Sequence, residues 1–306
     1  MNGPISRYTK IGLIHFMAYP EVIKGEGPVV ETFKKIAVDD YFDAVEITWI
    51  KDKKARAEVK KMIDTSHIDV AYGAQPRLLT TGLNINDLEE EKRLEALSSL
   101  LEGIDEAYEM GATGFGFLSG HYVEEMKEEA YQSLLESTKA LCKHAKSKGN
   151  MTIALEVFDY DVDKKSLIGP AALARRFAEE MTKEHDNFGL MVDLSHLPIL
   201  RETAEETLHL LKDYIVHAHM GNAVAIEGCE AYGDQHPRFG FPNGANDVDE
   251  LVEYLRVLGE IGYLDEGNRR FLSFEVKAVG DEDPECVVAN AKRVLNRAWN
   301  IVSSIN

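Results

Sequence analysis

The sequence predicts an α/β fold, a single (β/α)8 barrel, on three observations. Eight short apolar runs alternate with longer amphipathic stretches. The 306 residues carry 44% apolar side chains, enough for one large core and common for a barrel of this type. Four of the runs, in succession, carry an acid or an imidazole near their ends: Glu156, Asp193, His219 and Glu275. A parallel barrel gathers strand ends at one rim, which is where such folds build their sites.

The runs span about 10–18, 44–50, 69–76, 114–120, 151–159, 188–198, 214–222 and 270–278. Strand candidates followed each time by a helix candidate call for a parallel sheet closed on itself. The stretch 86–110 reads as a helix. Leu88, Leu94, Leu97, Leu101, Ile104 and Ala107 form its apolar stripe, with Asn86-Asp87 before it and Gly111 after it. Gly12, Gly73 and Gly116 fall inside strand runs, where a missing side chain relieves crowding or a bend. No Pro-rich linker or low-complexity tract divides the chain, so residues 1–306 are read as one TIM-barrel domain. The seventh connection departs from the pattern. Residues 223–245 are rich in Gly, Pro and aromatic side chains, which predicts an ordered active-site loop.

Composition removes some partners. Arg and Lys number 34 against 53 Asp and Glu, a net charge of −19. That argues against a nucleic-acid backbone or an anionic membrane. Cys142, Cys229 and Cys286 have no zinc or disulfide spacing, and no run approaches the roughly 20 apolar residues of a membrane span. The N-terminal residues lack an apolar signal core. A cytoplasmic protein is the expectation.

Strand parity supports a metal site. Glu156 shares a face with Ala154 and Phe158, opposite Ile153, Leu155 and Val157. Glu275 shares one with Ser273 and Lys277, opposite Leu272, Phe274 and Val276. His217 and His219 point together, with His217 one layer deeper, and Asp193 lies on the face of Met191. All four therefore point into the barrel. Three carboxylates and an imidazole suit a hard divalent ion, Mn or Mg. Glu156 and Glu275 are then placed for proton transfer beside a sugar carbonyl. His196 is expected to bind a substrate oxygen or to steady the site. Asp234 and His236 offer a second metal site, a general acid, or a tie for the loop, with Arg238 beyond them reaching the substrate. Lys277 is read as a contact to a substrate hydroxyl or as half of a salt bridge. His15 and His121 are read as structural. Phe16, Tyr19, Phe115, Phe117, Phe158 and Tyr160 are aromatic candidates at the rim.

Glu156, Asp193-Leu-Ser-His196, His219-Met-Gly-Asn222 and Glu275 resemble the xylose-isomerase-like barrels of the sugar phosphate isomerase/epimerase superfamily. The resemblance spans nearly the whole chain. It implies that Glu156, Asp193, His219 and Glu275 bind a divalent metal and that the two glutamates also act as bases. Ketose epimerases carry a Glu and an Arg shortly after the metal-binding His, whereas Met220-Gly-Asn-Ala-Val224 stands here. AP endonucleases carry early histidines, whereas Ala74-Gln-Pro-Arg77 stands here. Ile11-Gly-Leu-Ile-His-Phe-Met17 and Gly233-Asp-Gln-His-Pro-Arg-Phe-Gly240 resemble the alpha subunits of C-glycoside deglycosidases. That likeness implies a lyase on a 3-oxo-glycoside, with Mn foremost and Mg, Co or Zn as substitutes. His236 would be the acid, and a small beta subunit or a homo-oligomer would complete the enzyme. The competing reading is a sugar or sugar-phosphate isomerase/epimerase; an AP-endonuclease-like hydrolase or a non-catalytic binding barrel ranks below both.

Overall fold

The structure is a computed structural model that describes residues 1–304. Eight parallel strands close into a barrel in chain order: β1 (Thr9–Ile14), β2 (Ala44–Ile47), β3 (Asp69–Gly73), β4 (Gly114–Leu118), β5 (Thr152–Glu156), β6 (Phe188–Asp193), β7 (Ile215–Gly221) and β8 (Arg270–Glu275). β8 closes the ring on β1, from Thr9↔Arg270 to Leu13↔Phe274. The covering helices are α1 (His15–Ala18) and α2 (Val29–Ala37), α3 (Lys53–Ser66), α4 (Gln75–Leu79) and α5 (Glu90–Met110), α6 (Lys127–Lys148), α7 (Ala171–Met181), α8 (His196–Leu200) and α9 (Ala204–Leu211), α10 (Val248–Glu260) and α11 (Pro284–Ser304).

The predicted fold class holds, with strands shorter than their apolar runs. The ends of three runs leave the sheet and become α1, α4 and α8, which cap the rim. A strand persists only while its neighbours offer ladder partners, and those stop near the rim. Pro76 and Pro198 reinforce the turn, since neither has an N–H to give a ladder.

The helix at 86–110 starts later than its pattern suggested. It begins at Glu90 and ends on Gly111, whose φ of 81° forms a left-handed C-cap. Its buried line is Ala96, Leu100, Gly103, Ile104, Ala107 and Met110. Leu88 and Leu94 are 44% and 51% exposed, so the leucine stripe is not the core face. Small residues let α5 approach the sheet, and a Cβ on Gly103 would lie 2.9 Å from Arg77 Nε. Leu97 and Leu101 flank that face, half-buried.

Glycines make room inside the barrel as expected. A Cβ on Gly116 would lie 2.7 Å from Met191 Cε, and one on Gly73 the same distance from the Phe16 ring.

His15 is structural. Thr32 Oγ1 donates to the Pro28 carbonyl at 2.8 Å, so it accepts from His15 Nε2 at 2.8 Å. Burial holds the neutral ring and lowers its pKa to about 3. The unfolded ring binds a proton near 6.5 and the folded one does not, so the unfolded state binds more protons between these values. Stability is complete above about pH 6.5 and falls as pH drops. At pH 5 the loss from this residue is about 2 kcal/mol. Urea unfolding of metal-free protein at pH 7 and pH 5 is expected to show that loss in the parent and not in His15→Gln. Equal losses in the two proteins would refute a neutral buried His15.

Candidate active site

The four residues near the ends of successive runs are brought together. Glu156, Asp193 and Glu275 are the last residues of β5, β6 and β8, and His219 lies two residues before the end of β7. Register aligns them: Asp193 pairs with His219, Glu156 with Met191, and Gly221 with Glu275. One donor atom from each lies within 4.8 Å of the others. His219 Nδ1 is 2.8 Å from Glu275 Oε2 and 3.4 Å from Glu156 Oε1.

These donor atoms are nonetheless orphans. Glu156 Oε1, Asp193 Oδ2, His219 Nδ1 and Glu275 Oε2 are all buried and none has a hydrogen-bond partner. The other oxygens of two of them are occupied. Glu156 Oε2 accepts from Gln75 Nε2 at 2.6 Å, and Asp193 Oδ1 accepts from the Ser195 N–H at 2.7 Å. A buried polar atom without a partner costs about 1–3 kcal/mol, more when charged. Four converging on one point fit a divalent cation, whose adjacent oxygen ligands sit about 3 Å apart at bond lengths near 2.1 Å. Burial pushes the Asp193 carboxyl above its ordinary range, against the pull of His196, His236 and His219.

The sequence reading missed Glu46. This buried carboxylate on β2 faces across the barrel. Its Oε1 lies 2.6 Å from His217 Nε2 and 3.2 Å from His219 Nε2, and its Oε2 lies 3.3 Å from His219 Nε2. Burial disfavours its charge, but His217 and His219 hold its pKa well below the ordinary value. His217 sits below His219 as expected and stacks on Phe271, with centroids 5.2 Å apart and planes 3° from parallel.

A second buried network centres on Asp234. Its Oδ1 contacts His236 Nε2 at 2.7 Å and His196 Nε2 at 3.0 Å, and its Oδ2 meets Lys164 Nζ at 2.9 Å. Burial opposes the charge on Asp234, and His236, Lys164 and His196 outweigh it, lowering the pKa well below normal. His196 Nδ1 is bonded to the Val157 carbonyl at 2.8 Å. Both partners of His196 only accept, so its ring carries two protons. Burial disfavours that cation, and the Asp234 carboxylate more than compensates, raising its pKa well above normal. His196 therefore has no nitrogen left for a substrate oxygen. His236 Nδ1 lies 3.2 Å from Ser195 Oγ.

The loop from 222 to 247 is packed. Asn222 and Asn246 brace its two ends. Asn222 Oδ1 accepts from the Asn246 N–H at 2.8 Å, and Asn246 Nδ2 donates to the Gly221 carbonyl at 3.0 Å. Val224 and Phe239 are fully buried. The Lys277 N–H donates to the His236 carbonyl at 2.7 Å, tying the loop to the end of β8. Arg238 departs from expectation. Its Nε donates to Glu282 at 2.7 Å and its Nη1 to the Gly240 carbonyl at 3.0 Å, and it does not line the pocket.

A cavity of about 200 Å3 opens above the four donors. Glu275, Lys277, Gln235, His236, Lys164 and Glu46 form its polar wall. Burial and the nearby Lys164 lower the pKa of Lys277, whose Nζ donates to Gln235 Oε1 at 3.1 Å. Glu156 lies beneath Gln75 and does not line the cavity. Among the six aromatic candidates only Phe16 and Phe158 line it. Phe115 stacks on Tyr72 in the core and Phe117 is fully buried.

The fold and this cluster define a barrel enzyme with a candidate metal centre at the strand ends. Residues 35–298 match the xylose isomerase-like TIM barrel family, and the chain belongs to it. No curated protein matches the sequence. Similar solved structures include a D-tagatose 3-epimerase-like protein, with 19% identity, a TM-score of 0.72, and coverage of 97% of this chain and 99% of that one. D-psicose 3-epimerase from Clostridium cellulolyticum H10 is 17% identical, with a TM-score of 0.72 and coverage of 96% and 99%. The 3-keto-D-glucoside 4-epimerase from E. coli is 18% identical, with a TM-score of 0.65 and coverage of 94% and 99%. No helix among the described residues is long and apolar enough to cross a membrane.

Proposed function

We propose that the protein is a divalent-metal-dependent sugar isomerase or epimerase that transfers a proton beside a sugar carbonyl. One observation carries this reading: four partnerless buried donor atoms, from Glu156, Asp193, His219 and Glu275, converge beside the cavity that Glu275 lines. The donor set is hard, with three carboxylates and one imidazole, which favours Mn or Mg over Co and Zn. A bound ion of that kind polarises a sugar oxygen and acidifies the neighbouring C–H.

The chain's own groups supply the rest. Glu275 lines the cavity and is placed to take the proton from carbon. Glu156 is the second carboxylate, covered by Gln75, which orients it. Lys277, braced by Gln235 Oε1, presents donors to hydroxyls on one side. Phe16 and Phe158 offer apolar faces to ring C–H groups on the other. Epimerase names among the similar structures agree with this chemistry, and one of them acts on a 3-keto-glucoside. An oxidised glycoside thus stays within the substrate class beside free ketoses.

The lyase outcome ranks second. It needs an acid aimed at a leaving group, and His236 is instead committed to Asp234 and Ser195. The companion subunit belongs to the lyase reading alone. The AP-endonuclease reading is weaker still: the chain is strongly acidic, and Ala74-Gln-Pro-Arg77, just past the end of β3, holds no histidine.

In D2O, Mn-loaded protein is expected to place deuterium on the carbon next to the carbonyl of a ketose or 3-keto-glucoside, read by proton NMR. Release of a free aglycone without exchange would favour the lyase. Neither outcome across a panel of both classes would sink the proposal.

A further inference from the structure

We infer that Glu46 is a positioning residue, which fixes the proton and the ring orientation of His219 so that Nδ1 is the nitrogen offered to a metal ion. The inference rests on the metal reading of the site and adds a residue from the far side of the barrel. Glu46 lies on β2, more than 100 residues from any of the four candidate ligands, and the reaction chemistry does not call on it.

Bonding at the two nitrogens of His219 is asymmetric. Nε2 lies 3.2 and 3.3 Å from the oxygens of Glu46. A carboxylate only accepts, so Nε2 carries the hydrogen. Nδ1 lies 2.8 Å from Glu275 Oε2 and 3.4 Å from Glu156 Oε1, but with hydrogen-bond geometry to neither, among the other orphan donors. An imidazole protonated at Nε2 presents a lone pair at Nδ1, which is what a cation requires. Glu46 is itself held. Its Oε1 also receives His217 Nε2 at 2.6 Å, and the His217 ring is pinned flat against Phe271. The chain of support therefore runs from Phe271 through His217 and Glu46 to His219. Glu46, His217 and His219 also have the composition of a metal site. Their facing atoms are satisfied by one another, unlike the four orphans, so they support the site without forming a second one.

Outer partners of this kind typically change metal affinity about 10–100-fold when removed. Mn titration calorimetry on metal-free protein is the first test. Glu46→Ala is expected to weaken Mn binding by about that factor. Glu46→Gln keeps an acceptor oxygen for the histidines and is expected to lose only a few-fold, roughly a partial rescue. A merely structural role would lower the unfolding temperature of both variants and leave Mn affinity unchanged, which would overturn the inference.

The second test needs no variant. In zinc-loaded parent protein, 15N NMR of the histidine rings is expected to show His219 protonated at Nε2 and metal-bound at Nδ1. The opposite assignment overturns the role of Glu46 while leaving the metal site standing. A parent protein that binds neither Mn nor Zn overturns the metal reading and this inference together.

Discussion

Glu275→Gln is expected to lower turnover by about 10²–10⁴-fold on whichever ketose or 3-keto-glucoside the parent converts. Glu275 is the only one of the four candidate ligands that lines the cavity. Under the proposed function its loss removes a negative ligand and the carboxylate that takes the proton from carbon. Glu156→Gln is expected to be similarly severe for a different reason. Gln75 already covers the Oε2 of Glu156, so its Oε1 is the working atom, and an amide there keeps the bond to Gln75 while losing the charge. Two measurements separate the effects: steady-state turnover at saturating Mn, and deuterium exchange at the substrate carbon. A Glu275→Gln protein that holds Mn but neither turns over nor exchanges has lost its base. Near-parental turnover in either variant would refute the paired-carboxylate chemistry.

How much of this was legible in the sequence depended on the range of the interaction. The barrel was readable because each βα unit writes its own pattern, apolar run and then amphipathic stretch. The inward set at Glu156, Asp193, His219 and Glu275 was readable because strand parity is local, and one residue of alternation decides which way a side chain points. Glu46 shows the limit. It is one acid in the four-residue strand Ala44–Ile47, and its partners lie 171 and 173 residues away. Its place on the inward face with Ala44 was the available signal, and a short strand makes that signal weak. Arg238 and His196 show the limit from the other side. Their residue types suit a substrate, but the competition from Glu282, Val157 and Asp234 is set by tertiary packing. The α5 stripe misled because long leucines advertise a core face, while the helix approaches the sheet on Ala96, Gly103 and Ala107. The early turns into α1, α4 and α8 were hidden because apolar residues at the rim still pack when the strand ends.

The largest expected change in stability lies outside the cavity, at Glu106. This residue of α5 is buried with Arg77 of α4, and their side chains meet at 2.8 Å. Glu106 Oε1 also accepts from the Ile50 N–H at 2.7 Å, and Arg77 Nε donates to the Tyr72 hydroxyl at 2.9 Å. Burial raises the Glu106 pKa even though the Ile50 N–H, Arg56 and Arg77 oppose it. Desolvation therefore outweighs pairing, and the ion pair contributes geometry more than net stability. Removing one partner is what costs. Glu106→Ala leaves a buried guanidinium and a buried N–H without their acceptor, and is expected to destabilise by about 3–5 kcal/mol. Replacing both partners, Arg77→Met with Glu106→Leu, is expected to recover much of that loss, because no uncompensated charge remains. Urea unfolding of the single and double variants decides it. A single-variant loss below about 1 kcal/mol would mean that water reaches Arg77 and the pair is not closed. The consequence reaches the site through one short helix. Arg77 and Gln75 both belong to α4, and Gln75 holds Glu156. The double variant is therefore expected to regain stability before it regains full turnover, since the fork that fixes the orientation of α4 is gone.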